Sequence, residues 1–139
     1  MLLTVPIERR NVPELATPPG YSHVAIARGS TLVFTAGAVP LDAAGELVGA
    51  EDPAAQTNQV VANLLAALAA GGAGPDDVVK TTVYVAGVDH DMQLAVWEAV
   101  QASPIAAAPS TLLGVALLGY TGQLVEIEAI AVIDEHGGR

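Results

Sequence analysis

Cysteine is absent from this chain of 139 residues, and with it go disulfides, a thiolate nucleophile and any cysteine-ligated metal centre. Cations are nearly as scarce. Arg9, Arg10, Arg28, Lys80 and Arg139 are the whole basic complement against fifteen acidic residues, giving a formal net charge of −10. So few and so scattered, they cannot form the basic stripe that displaces counterions from phosphates, which argues against a nucleic-acid partner. No stretch approaches the roughly 20 apolar residues that span a bilayer, and the first ten residues contain no basic segment leading into a long apolar one. A cytoplasmic protein without membrane contact is expected. His23, His90 and His136 are too widely spaced to suggest a shared metal, and there is no P-loop, dinucleotide fingerprint or nucleophile elbow. No metal or cofactor is therefore expected.

What the chain has in excess is apolar surface. Hydrophobic residues make up 52% and charged residues 14%, where about 25% charged is usual for a soluble domain. A globule this small has too little interior to hide that much hydrocarbon, so a buried subunit interface, and hence a homo-oligomer, is expected. The length fits one domain, residues 1–139.

Local signals order the elements. Residues 1–17 read as a mixed lead-in, and Thr17-Pro18-Pro19-Gly20 is a breaker. The stretch from Tyr21 to Arg28 reads as a strand that Gly29-Ser30 turns into a hairpin with Thr31 to Ala36. Leu41 to Val48 looks like an exposed excursion with a turn at its middle. Asp52-Pro53 opens a helix whose stripe Val61, Leu64, Leu65 and Leu68 repeats at helical spacing, whose other face carries Gln56, Gln59 and Asn63, and which Gly71-Gly72 stops. Val78 to Val85 is rich in β-branched residues and reads as a strand. A second helix is expected from Asp89 or Asp91 to Ala102, then two closing strands near residues 110–117 and 124–133. The order ββ, α, β, α, ββ points to an α+β sandwich, one mixed sheet with both helices on one face. The uncovered face is where subunits would meet.

From about residue 18 to 133 the chain resembles the YjgF/RidA family, also called endoribonuclease L-PSP-like. The resemblance is carried by Pro19-Gly20-Tyr21-Ser22, Leu32-Val33-Phe34-Thr35-Ala36-Gly37, Gly45-Glu46-Leu47-Val48, Ala55-Gln56-Thr57 through Asn63-Leu64, Asp77 to Val85, and Leu124 to Val132, six segments in the family's order. It implies a chorismate-mutase-like fold, a homotrimer whose sheets line a central barrel, and small-molecule pockets between neighbouring subunits. In RidA-type members that pocket hydrolyses enamines and imines such as 2-aminoacrylate to a keto acid and ammonia, and an arginine grips the substrate carboxylate with its planar fork. Here the corresponding segment reads Ala108-Pro109-Ser110-Thr111-Leu112-Leu113-Gly114-Val115, with Ser110 at the arginine position and Leu112 where a cysteine is common. The chain thus resembles the arginine-lacking branch. Losing charge-assisted hydrogen bonds costs about 1.5–3 kcal/mol each, so the substrate is expected to differ from 2-aminoacrylate.

The resemblance makes Glu126 the catalytic candidate, the glutamate that positions or activates water. Substrate-binding candidates are Tyr21, Ala36, Gly37, Ser110, Thr111, Leu112 and Tyr120, with Trp97 a further aromatic near the cleft. Each has a blander alternative. Glu126 and Glu128, on one strand face by period two, would equally pair with Lys80 or backbone amides. Tyr21, Tyr120 and Trp97 would equally serve packing or an interface, and Gly37 a strand-ending turn. Two functions are weighed: a hydrolytic deaminase of enamine- or imine-type intermediates, and a non-catalytic trimer that binds a metabolite, regulates or protects. What separates them is whether Glu126 faces an accessible cleft or is spent on a salt bridge.

Overall fold

The structure is a computed structural model that describes residues 7–134. Its two helices form where the local chemistry places them. Helix α1, Pro53–Ala70, starts at Asp52, whose carboxylate accepts from the Ala55 amide at 3.0 Å. Proline at the first position forfeits an N–H that would have had no partner there. Val60, Val61, Leu64 and Leu68 are buried along one stripe, and Gly71 closes the helix. Gly72 follows with φ +84, a left-handed conformation that costs glycine little. Helix α2, His90–Gln101, is capped by Asp89, which accepts from the Asp91 amide at 2.8 Å, and buries Val96 and Val100.

Six strands accompany them: β1 Ile7–Arg10, β2 Val24–Ala27, β3 Thr31–Phe34, β4 Val78–Ala86, β5 Ser110–Val115 and β6 Val125–Ile133. Four of them form one mixed sheet in the order β3-β6-β4-β5. The expected hairpin of β2 with β3 does not form, and the closing strands β5 and β6 are not neighbours. Strand β3 pairs antiparallel with β6, so that Val33 lies beside Ala131 under the helices. Strand β2 turns away and pairs with β1, which lies in the supposed lead-in. Gly29-Ser30 permits a tight reversal, but β6 gives β3 a buried apolar neighbour that β2 cannot supply. At the other end β5 runs parallel to β4, because α2 carries the chain back to the end at which β4 began. Strand β6 then crosses to the far side of β4 and pairs antiparallel with it. The β1–β2 ribbon is stitched to the sheet by Arg9, whose Nη2 donates to the carbonyls of Asp76 and Val78 at 3.0 and 3.1 Å.

The expected excursion is present: Leu41 bridges Leu47, and Asp42 accepts from the Ala44 and Glu46 amides around a turn at Gly45. It is held to α1 by Asn63, whose amide donates to the carbonyls of Val39 and Leu41.

Both helices cover the same face of the sheet. Thr81, Val83 and Val85 of β4 and Val125, Ile127, Ala129, Ala131 and Ile133 of β6 are buried beneath them. The alternate residues face the other way. That second face is not covered by the helices: Leu32 is 59% and Phe34 67% exposed, beside buried Val132 and half-buried Ile130. The α+β sandwich with one bare sheet face is as expected. Replacing the cap in Asp52→Ala should lower unfolding free energy by about 1 kcal/mol. It would appear as a lower denaturant midpoint with an unchanged slope.

Candidate functional site

Two groups of candidate residues lie on opposite faces of the sheet. The first lines a cavity of about 370 Å³ between α2 and the edge strand β5. Ser110 and Leu112 reach it because they lie beside buried Thr81 and Val83 and so point to the helix side. Helix α2 supplies His90, Gln93, Leu94 and Trp97, and Tyr21 closes the end. The Tyr21 ring stands edge-on to Trp97, with centroids 5.9 Å apart at 73°, a favourable aromatic arrangement. The indole N–H is engaged by the Pro19 carbonyl at 3.3 Å, which ties the breaker segment to the cavity wall. Gly114 allows the close approach of α2, since a Cβ there would lie 3.0 Å from Gln93 Nε2 and 2.9 Å from the Gly87 carbonyl.

No described Lys or Arg lines this cavity, and His90 is its one basic side chain. Arg9 is held on the Asp76 and Val78 carbonyls, and Arg10 pairs with Glu8. Lys80 lies on the opposite sheet face, donating to Thr111 Oγ1 at 2.8 Å. Arg139 lies outside the described residues.

Glu126 belongs to the second group, on the open face. It sits opposite Tyr84 and packs against the Gly37 backbone, where an added Cβ would come within 2.6 Å of Glu126 Cδ. Its Oε1 accepts from Gln123 Nε2 at 3.1 Å, and it makes no ion pair with Lys80. Two residues on, Glu128 accepts from the Tyr84 hydroxyl at 2.8 Å. That hydrogen bond, then desolvation, then the charges of Glu128 and Glu126, hold the Tyr84 phenol above its usual value of 10.0.

Residues 13–133 match the family model described as Endoribonuclease L-PSP. The chain belongs to this family, the Rid or YjgF proteins. Comparison with functionally curated proteins gave no match. Among solved structures, this Rid protein is similar to YyfB from Yersinia pestis, a Rid-family protein of unknown function, at 36% identity and TM-score 0.83 over 91% of this chain and 98% of that one. It is also similar to a member of the YjgF/YER057c/UK114 family from Mycobacterium tuberculosis, at 30% identity and TM-score 0.61, over 92% of this chain and 100% of that one. RidA from the Antarctic bacterium Psychrobacter is 29% identical, with TM-score 0.65, over 85% of this chain and 92% of that one.

The sequence candidates therefore divide. Tyr21, Ser110 and Leu112 meet at the cavity, whereas Gly37 and Glu126 meet on the open face, with exposed Ala36 just before Gly37. Thr111, grouped with Ser110 in sequence, points the other way and meets Lys80. Tyr120 is outside the cavity, half exposed, and its amide donates to Gln123 Oε1.

Sequence reasoning missed the two glutamines that set Glu126 in place. Gln123 is buried and ties Tyr120, Val125 and Glu126 together. Gln56 is wholly buried in α1, accepting from the Leu124 amide and donating to the carbonyls of Gly49 and Gly122. The only signal in the sequence was weak: Gln56 lies one helical turn before Val60 of the apolar stripe, with nothing local to show what its amide would meet.

Gln56→Leu, which keeps the bulk but none of the hydrogen bonds, should lower unfolding free energy by on the order of 3 kcal/mol in a denaturant titration, because one amide and two carbonyls lose their partner.

A second expectation concerns alkaline pH. A phenol whose folded pKa is raised holds its proton more tightly in the native state. Its contribution to stability is therefore complete below about pH 10 and is lost as pH rises through the folded value. In an absorbance titration of tyrosinate, Glu128→Gln should move the latest step toward 10.0, and Tyr84→Phe should delete it.

Proposed function

We propose that this Rid protein hydrolyses imine- or enamine-type intermediates in a pocket assembled between copies of the chain, and that its substrate lacks the carboxylate that RidA-type arginines hold. The observation that carries this reading is the condition of Glu126. Its carboxylate accepts from a neutral amide and packs against a glycine backbone, and it forms no ion pair with a described Lys or Arg. Such a group can take a proton from water.

The chemistry needs little else. Water adds to the C=N carbon while Glu126 takes one of its protons and passes it to nitrogen, giving a neutral carbinolamine; Glu126 then relays the carbinolamine hydroxyl proton to nitrogen as the C–N bond breaks, releasing ammonia and leaving a carbonyl. An enamine first tautomerises to the imine. The overall change is imine plus water to carbonyl plus ammonia, so no cofactor is consumed.

Two features support a shared pocket. Glu126 and Gly37 lie on the face opposite Tyr21, Ser110 and Leu112, so one protomer does not bring both groups to one ligand. The face that bears Glu126 also exposes Leu32 and Phe34, apolar surface of the kind that subunit contacts bury. A homotrimer, as the family resemblance implies, would bring the Glu126 group of one copy to the Tyr21 cavity of the next.

The test is ammonia release from imines generated in situ, those with a carboxylate by an amino-acid oxidase or lyase and those without one by a flavin amine oxidase. Glu126→Gln should lower turnover by about 10²-fold or more. Ser110→Arg should raise hydrolysis of 2-iminopropionate, because it restores a guanidinium where the family places one. Absence of ammonia release above the spontaneous rate from every variant and every imine would overturn the hydrolytic reading in favour of a metabolite-binding oligomer.

A further inference from the structure

On the reading that the Tyr21 cavity is half of the pocket, we infer that it selects ligands with an uncharged hydrogen-bond acceptor carried on an aromatic ring by a short chain: an arylalkyl ketone or aldehyde, or the imine from which it would form.

The cavity carries two kinds of wall. One is an aromatic corner, Tyr21 set edge-on to Trp97 and extended by the aliphatic side chains of Leu94 and Leu112. Since the Trp97 N–H is already engaged by the Pro19 carbonyl, the indole offers its ring as apolar surface. A flat hydrocarbon ring gains both area burial and ring-to-ring contact from such a corner, whereas a short aliphatic chain gains only the first, and less of it. The volume, about 370 Å³, falls at the lower end of the range for small-molecule sites and suits a single ring with a short side chain.

The second wall is neutral and polar. The hydroxyl of buried Thr81 donates to Ser110 Oγ at 2.7 Å, so the Ser110 hydrogen is left to donate elsewhere, and the cavity is where its side chain points. Gln93 adds an amide beside it. One hydroxyl donor and one amide match a carbonyl oxygen or an imine nitrogen. For a carboxylate they offer no permanent cation, because no described Lys or Arg lines the cavity and His90 is the one basic side chain among its lining residues.

The protein carries its own reporter. Trp97 is the single tryptophan of the chain and forms part of the cavity wall, so its emission reads occupancy directly. Three probes separate the elements of the inference. 4-Phenylbutan-2-one has the ring and the neutral acceptor, 3-phenylpropanoate replaces the acceptor with a carboxylate, and butan-2-one lacks the ring. Excited at 295 nm, wild-type protein should show a saturable emission change with 4-phenylbutan-2-one. Its apparent affinity should be at least tenfold higher than that for 3-phenylpropanoate, and butan-2-one should give only a linear collisional response. Ser110→Arg should reverse the order of the first two probes.

Equal or tighter binding of 3-phenylpropanoate to wild type would overturn the inference, as would saturation by butan-2-one at the same concentrations or no saturable response to any probe. Hydrolysis is judged separately. If 4-phenylbutan-2-one saturates both wild type and Glu126→Gln while neither releases ammonia from any imine, the ligand class stands and the hydrolytic reading falls. If ammonia is released but the probe order is wrong, the reverse holds.

Discussion

A sheet covered on one side only imposes two environments on every strand, and nearly everything else in this Rid protein follows from that constraint. In β6, Val125, Ile127, Ala129, Ala131 and Ile133 go under the helices, so Glu126, Glu128, Ile130 and Val132 must go to the other side. The same alternation sends Ser110 and Leu112 of β5 toward α2 and Thr111 toward Lys80. Burial of the aliphatic set drives folding. The polar set that carries the candidate chemistry is oriented as a by-product, since a slip of one residue would bury both glutamates and expose the core.

Orientation alone does not fix an atom, and the glutamines supply the rest. Strand β6 begins immediately after a loop that Gln56 holds by the Gly122 carbonyl and the Leu124 amide. Gln123 uses its own amide to bind the Val125 carbonyl and Glu126 together. The carboxylate is thereby referred back to α1, the best-packed helix of the core. Neutral donors have a further merit here: they place a carboxylate without the strong ion pairing that a lysine or arginine would impose on it.

How much of this could be read from sequence depends on how local the cause is. Helix α1 was legible at both ends because Asp52, Pro53, Gly71 and Gly72 act within a turn of themselves. Strands β4 and β6 were legible as strands, and the outward side of Glu126 followed from period two. Pairing was not legible. Gly29-Ser30 looks like a hairpin turn, yet β3 chose β6, about a hundred residues away, because sharing a buried face is worth more than a short loop. The same limit hid Gln56, whose partners at Gly122 and Leu124 lie 66 and 68 residues on. Its amide reads as a surface residue until the loop it satisfies is in view. Thr111 and Ser110, grouped in sequence, face opposite sides of the sheet because neighbours in a strand point apart. The family resemblance named candidates in both groups, but only the fold showed that one chain keeps them on different sides.

That separation has a consequence for how such a protein responds to dilution. For a pocket that draws Glu126 from one copy and Tyr21 from another, competence is a mass-action quantity: it vanishes when the copies part, even while each chain remains folded. Leu32 and Phe34, the exposed apolar residues that a contact between copies would bury, share β3 and the sheet face with the group that would do the chemistry. A change that weakens association would therefore silence the pocket without touching any residue that meets the ligand.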